Sequence, residues 1–72
     1  MEYKVKYQTR GLMNFNSKWI DNETILVADE KDIKEVGCEC LLANKFGIWH
    51  VYNVLECTDM NGNTIEKGER KN

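Results

Sequence analysis

The strongest strand signal in this chain lies in residues 48–58, which read Ile48-Trp49-His50-Val51-Tyr52-Asn53-Val54-Leu55-Glu56-Cys57-Thr58. Successive side chains of a strand point to opposite faces of the sheet. One face carries Trp49, Val51, Leu55 and Cys57, and the other carries Ile48, His50, Tyr52 and Val54. Because both faces are apolar, we expect this run to be the central strand of a sheet.

Three further strands are predicted around this run. In residues 2–10, aromatic and β-branched side chains alternate with charged ones, which is the pattern of a half-buried strand. Residues 24–28 form a second β-branched run that is expected to pair with the first strand as an antiparallel hairpin. Asn61 and Gly62 form a strong hairpin-turn signal, so residues 64–66 are predicted to be a short edge strand.

A helix is predicted over residues 30–44. Asp29 can cap its first turn, and Gly47 is a natural stop after its last turn. The apolar residues recur on one side at helical spacing: Ile33, Val36, Cys40, Leu41 and Ala43. Gly37 falls within this stripe, where the lack of a side chain would let the helix lie close to the sheet.

Together these elements predict an α+β fold in the order β-β-α-β-β. The four antiparallel strands are expected in the sheet order 2-1-3-4, with one helix packed on one face. A competing interpretation makes residues 38–43 a strand that turns into residues 48–58. That alternative would leave a short helix at 29–36 and a mainly β fold.

Length and charge point to a single small domain spanning residues 1–72. Ten Lys and Arg against twelve Asp and Glu give a net charge of −2. Residues 67–72 are nearly all charged or polar and are expected to be a flexible tail. The sequence contains no long apolar run and no secretory signal, and its odd number of cysteines fits reduced thiols. We therefore expect a cytoplasmic protein without membrane contact.

The sequence offers no enzymatic motif. It contains no nucleophile elbow, phosphate-binding loop, dinucleotide fingerprint or metalloprotease motif. A domain this short has little room for a walled catalytic pocket beside its core. His50 lies in an apolar strand with no acid nearby in sequence, which favours a structural histidine. We therefore expect a protein that is not an enzyme and binds no cofactor.

The cysteines and the histidine raise the question of a zinc site. Cys38, Cys40, His50 and Cys57 are the residue types of a Cys3His centre. On a helix, however, Cys38 and Cys40 point about 160° apart and cannot share one metal ion. With the helix adopted here, the cysteines are interpreted as small hydrophobic residues, and no metal site is expected.

A basic strip on the first strand suggests a second class of function. Lys4, Lys6 and Arg10 share the polar face of residues 2–10, and aromatic residues elsewhere could stack on bases. This makes a nucleic-acid-binding module an alternative. The acidic net charge argues against it.

Protein docking is the preferred hypothesis. One helix cannot cover both faces of the strand at 48–58, so an apolar face should remain for a partner. Cys38, Leu42 and Phe46 are also expected to project away from the buried stripe of the helix. Partner contacts are predicted at Tyr52, His50, Leu42 and Trp19. Alternatively, the turn at 11–23 could bury the open face with Phe15 and Trp19.

We therefore expect a small binding protein that covers a surface of a larger protein. The small size and the richness in Lys, Asn and Ile fit an AT-rich, phage-encoded reading frame. The most specific form of the hypothesis is an anti-CRISPR-like inhibitor of a bacterial host factor or defence nuclease, acting in the host cytoplasm. A homodimeric regulatory protein joined through the open sheet face is a further alternative.

Overall fold

The computed structural model describes residues 1–13 and 17–72. Within these residues it contains four strands and two helices: β1 (Glu2–Gly11), β2 (Ile20–Val27), α1 (Glu30–Glu35), α2 (Cys38–Phe46), β3 (His50–Asp59) and β4 (Thr64–Lys67). The strands form one antiparallel sheet in the order β2-β1-β3-β4. The predicted fold class and sheet order are confirmed.

The core lies between the sheet and the two helices. Tyr3, Val5 and Tyr7 alternate along β1 and point to this face, as the period-two pattern predicts. They pack with buried side chains from the other elements: Leu26, Ile33, Cys38, Leu42, Tyr52, Val54 and Cys57. The opposite face of the sheet, which carries Lys4 and Lys6, is called the open face below.

The single long helix predicted for residues 30–44 is wrong, because the chain breaks at Gly37. Gly37 has a φ of 94°, a left-handed backbone conformation that side-chain-bearing residues rarely adopt. The N–H groups of Val36 and Gly37 both donate to Asp32 O, which ends α1. The competing interpretation of residues 38–43 as a strand is also wrong, since these residues lie in α2.

A β-bulge in β3 changes which side chains reach the core. Lys6 pairs with Glu56 and Tyr7 pairs with Val54, so Leu55 is an extra residue between two register positions. Strict alternation placed Cys57 on the face opposite Tyr52 and Val54. The bulge instead brings Cys57 onto their face, where it is buried.

The last residues of the chain cross the open face of the sheet. Gly68 N–H donates to Leu55 O, and Glu69 O accepts a hydrogen bond from Asn53 Nδ2. Arg70 forms an ion pair with Asp21 on β2. The segment predicted to be a flexible tail therefore contacts β3, β1 and the edge strand β2 across the open face. It covers this face together with Trp19 of the turn at 11–23, whose ring Lys71 contacts. Phe15 of the same turn lies outside the described residues.

The helices of the described chain are short. None of them has the length and apolar character needed to cross a membrane.

Candidate protein-docking surface

A groove opens at one end of the helix-covered face of the sheet. It has a volume of about 240 Å³ and is lined by Tyr7, Thr9, Phe46, His50 and Tyr52. We call these five residues the aromatic groove.

The groove exists because α2 ends before it covers this end of the sheet. Gly47 follows Phe46 with a φ of 104°, and its N–H donates to Ala43 O, which closes the helix. Beyond that point the sheet continues without a helix above it. Thr9 pairs with Tyr52 across β1 and β3, and Gly11 pairs with His50. His50 is exposed on this part of the sheet, whereas Tyr52 is buried beside the end of α2.

Aromatic rings build both the floor and the walls of the groove. Tyr7 and Tyr52 are buried, and their ring centroids are 6.0 Å apart. Phe46 stacks on Tyr7 at 6.1 Å, and His50 lies 6.4 Å from Tyr52. The rings of Phe46 and His50 are exposed walls above a buried floor. Contacts at this spacing hold the rings against one another, so the groove is formed before anything binds.

Two hydroxyl groups of the groove are hydrogen-bonded within the chain. The Tyr52 hydroxyl donates to Gly47 O at 2.7 Å, and Thr9 Oγ1 donates to Val51 O at 3.0 Å. Burial raises the pKa of Tyr7 and of Tyr52, so both phenols stay neutral at physiological pH. The lining offers His50 no carboxylate and no activated nucleophile. The arrangement suits the binding of an apolar side chain.

Four exposed apolar side chains lie close in sequence to the end of the β1–β3 ladder, where the aromatic groove opens. Leu12, Met13, Ile48 and Trp49 are exposed, and we call them the rim. Leu12 N–H donates to Trp49 O at 2.8 Å, which joins the two segments at the end of the β1–β3 ladder. Ile48 and Trp49 expose 72% and 70% of their surface, respectively. The exposed apolar residues of the 48–58 run thus precede β3. Val51 and Leu55, which lie in β3, are half-buried.

Two of the four predicted partner-binding residues meet in the aromatic groove. His50 forms a wall and Tyr52 forms the floor. Leu42 has 0% exposure, so the prediction that it projects outward is wrong, and so is the same prediction for Cys38. The break at Gly37 changes the helical phase, so that these two residues, four positions apart in α2, face the sheet.

The fourth predicted residue, Trp19, lies elsewhere. Its half-buried ring is contacted by Arg10 at 4.6 Å and by Lys71 at 5.4 Å. Arg10 alternates with Thr9 on β1 and therefore belongs to the open face. The structure does not bring Trp19 together with His50 and Tyr52.

The basic strip on β1 is flanked by acidic residues on both neighbouring strands. Lys4 Nζ lies 3.1 Å from Glu23 Oε1. Lys6 pairs with Glu23 on β2 and with Glu56 on β3. The open face is therefore of mixed charge, and a nucleic-acid phosphate backbone would meet these carboxylates as well as the lysines.

The cysteines lie apart from the histidine. Cys38 and Cys57 are buried in the core, Cys40 is exposed, and His50 lies in the aromatic groove. Burial raises the pKa of the Cys38 and Cys57 thiols, which keeps them protonated. Among the described residues, no group of three or more His, Cys, Asp or Glu side chains is placed to hold a metal ion.

Sequence reasoning missed most of the groove and its rim. The alternation that assigned Tyr7 to the buried face also applies to Thr9, so both could have been named. Phe46 was expected to project from the helix, and it is exposed. Trp49 was assigned to the central strand, and nothing in its local pattern shows that β3 begins one residue later.

Comparisons with protein-family models, with curated proteins and with solved structures found no match to this chain.

Proposed function

We propose that this chain is a small, non-enzymatic binding protein that acts by covering a surface of a larger protein. Docking occurs through the aromatic groove and its rim. The observation that carries the proposal is the position of Ile48 and Trp49. These are two large, highly exposed apolar side chains, and they directly precede the groove wall His50.

The groove and the rim supply the two parts of a typical interface. Binding energy concentrates in a few aromatic and aliphatic residues that become fully desolvated. Burial of a side chain such as Ile48 stabilises a complex by about 1.5–3 kcal/mol, and Trp49 offers a larger area. The preformed groove accepts a protruding apolar side chain of the partner at little conformational cost.

The identity of the partner is the finer part of the proposal. The small size and the Lys-, Asn- and Ile-rich composition support a phage-encoded inhibitor that covers a bacterial host factor or defence nuclease. Inhibition by coverage requires only that the bound chain overlap a nucleic-acid or cofactor site of that factor.

The proposal is tested by affinity capture from bacterial lysate with matched variants. The bait is the wild-type chain, Trp49→Ala or Met60→Ala. Met60 is also exposed and apolar, but it lies in the β3–β4 turn at the opposite end of the sheet. We expect one large protein to be recovered by the wild-type chain and by Met60→Ala, and to be lost with Trp49→Ala.

Two results would count against docking through the groove. In the first, Trp49→Ala recovers the partner as well as the wild-type chain does, and Met60→Ala fails to recover it. The second is a fraction dominated by nucleic acid that dissociates steeply with salt, which would favour the basic strip of Lys4, Lys6 and Arg10 instead.

A further inference from the structure

β2 is an edge strand, and in the described part of the chain no other strand pairs with its outer side. Ala28 N–H donates to Met1 O, so the even-numbered residues of β2 direct their backbone groups toward β1. The odd-numbered residues Asp21, Glu23, Ile25 and Val27 therefore direct theirs outward. Lys45 Nζ confirms this direction, since it approaches from outside and donates to Ile25 O at 2.8 Å. Such an edge is a template for another strand.

An apolar cavity lies beside this edge, between β2 and α2. Its volume is about 340 Å³. Four of its lining residues are apolar (Leu26, Val27, Ala28 and Leu41), and Asn44 and Lys45 complete the lining. The cavity opens on the helix side of the edge, where a strand added to β2 would place every second side chain. The edge and the cavity together fit an added strand that carries an apolar side chain at the correct spacing.

We propose that the occupant is β2 of a second copy of this chain, which pairs antiparallel with the first and forms a continuous eight-stranded sheet. Thr24 lies on the twofold axis, opposite Thr24 of the second copy. This register pairs Ile20 of each copy with Ala28 of the other. Ile20 is 61% exposed in the single chain and points to the helix side, so it enters the cavity beside Leu26 and Leu41.

Charge repulsion disfavours one of the two neighbouring registers, and packing disfavours the other. A shift of one step toward the N-terminus would place Glu23 directly opposite Glu23, and like charges in that position are destabilising. A shift the other way would place the polar Asn22 opposite Ala28 and would move Ile20 beyond the residues that line the cavity. In the proposed register Glu23 lies opposite Ile25 of the second copy on the open face, where it keeps its ion pair with Lys4 of its own chain.

The hydrogen bond from Lys45 does not prevent this pairing. A carbonyl oxygen has two lone pairs, so Ile25 O can accept from Lys45 and from Glu23 N–H of the second copy. The pair of strands buries two copies of Ile20 and satisfies the outward backbone groups from Asp21 to Val27 on both chains.

Sedimentation equilibrium tests the dimer. We expect the wild-type mass to rise from 8.4 kDa toward twice that value as the concentration is raised from micromolar to millimolar. Ile20→Lys should weaken the dissociation constant by about tenfold or more, because each copy then places a charge in the cavity. Met60→Lys changes a similarly exposed apolar residue in the β3–β4 turn, away from the β2 edge, and should leave the constant within about twofold.

Crosslinking tests the register independently of Ile20. In a Cys40→Ser background, Thr24→Cys should form an intermolecular disulfide under mild oxidation with oxidised glutathione, while Asn22→Cys on the same strand and face should not. A monomeric mass up to millimolar concentration would overturn the proposal. A dimer that survives Ile20→Lys, or that crosslinks through Asn22→Cys and not Thr24→Cys, would overturn it as well.

Discussion

The side-chain amide of Gln8 and the backbone of Lys71 are joined by two hydrogen bonds. Gln8 Nε2 donates to Lys71 O, and Lys71 N–H donates to Gln8 Oε1, both at 2.8 Å. The side chain thus acts like a short piece of strand that holds the end of the chain on the open face. Gln8 is only 2% exposed as a result, and Asn53 Nδ2 bonds to the same Oε1.

Gln8→Ala should destabilise the protein. The substitution leaves Lys71 N–H and Asn53 Nδ2 without their shared acceptor, which we expect to lower the free energy of unfolding by about 1–3 kcal/mol. Lys6→Ala is the control, because Lys6 is exposed on the same strand and face and should change stability by no more than about 0.5 kcal/mol. Urea denaturation measures both. Equal effects of the two variants would contradict this role of Gln8.

Gly68→Ala should displace the segment that follows β4. A Cβ at position 68 would meet the backbone oxygen of Val54, which cannot rotate away like a side chain. We expect the amides of Gly68 and Lys71, which donate to Leu55 O and Gln8 Oε1, to exchange hydrogen faster in the variant. Glu69→Ala keeps the backbone bond to Asn53 and should leave these amides protected. Unchanged protection in Gly68→Ala would refute the close approach.

The sheet was predictable from sequence because its signals are local. Alternation in β1 and the Asn61-Gly62 turn each report on a few neighbouring residues, and the structure follows both. The bulge at Leu55 and the path of the chain after Lys67 depend on contacts between distant residues. Gln8 and Lys71 are 63 positions apart, and neither residue type predicts its partner.

Leu42→Ala should reduce stability without a specific effect on binding. Leu42 is fully buried between α2 and the sheet, so its truncation should cost about 2–5 kcal/mol of unfolding free energy. Ile48→Ala removes a branched apolar side chain from an exposed position and should cost no more than about 0.5 kcal/mol. Thermal and urea denaturation measure the stability of both variants. A small effect of Leu42→Ala would contradict its place in the core.

The buried thiols should make stability depend on pH in the alkaline range. Burial raises the pKa of Cys38 and Cys57 above the ordinary value of 9.0, so the folded state favours the neutral thiol. Their stabilising contribution is complete below that pH and is lost as pH rises above it, because the unfolded chain ionises first. The free energy of unfolding should therefore fall above pH 9, and less steeply in Cys38→Ala.

Thiol labelling checks the same feature at neutral pH. Cys40 is exposed, whereas the other two cysteines are buried. In the folded protein we expect iodoacetamide to modify Cys40 rapidly, and Cys38 and Cys57 only on unfolding. Rapid modification of all three in the folded state would contradict the core described here.

The groove was only partly predictable because it depends on where a helix stops. His50 and Tyr52 could be chosen from an apolar strand, and Gly47 was correctly identified as a helix stop. The phase of α2 could not be derived, since it depends on the left-handed conformation of Gly37. An error in that phase is sufficient to predict that Leu42 is exposed when it is buried.

Hydrogen exchange on the chain with its captured partner tests the docking surface most directly. We predict that the partner slows exchange at Leu12, Met13 and residues 46–50 around the aromatic groove, and leaves the β3–β4 turn at 60–63 unchanged. Protection confined to the turn, or to the open face around Lys4 and Lys6 with no change at Trp49 and His50, would contradict docking through the groove.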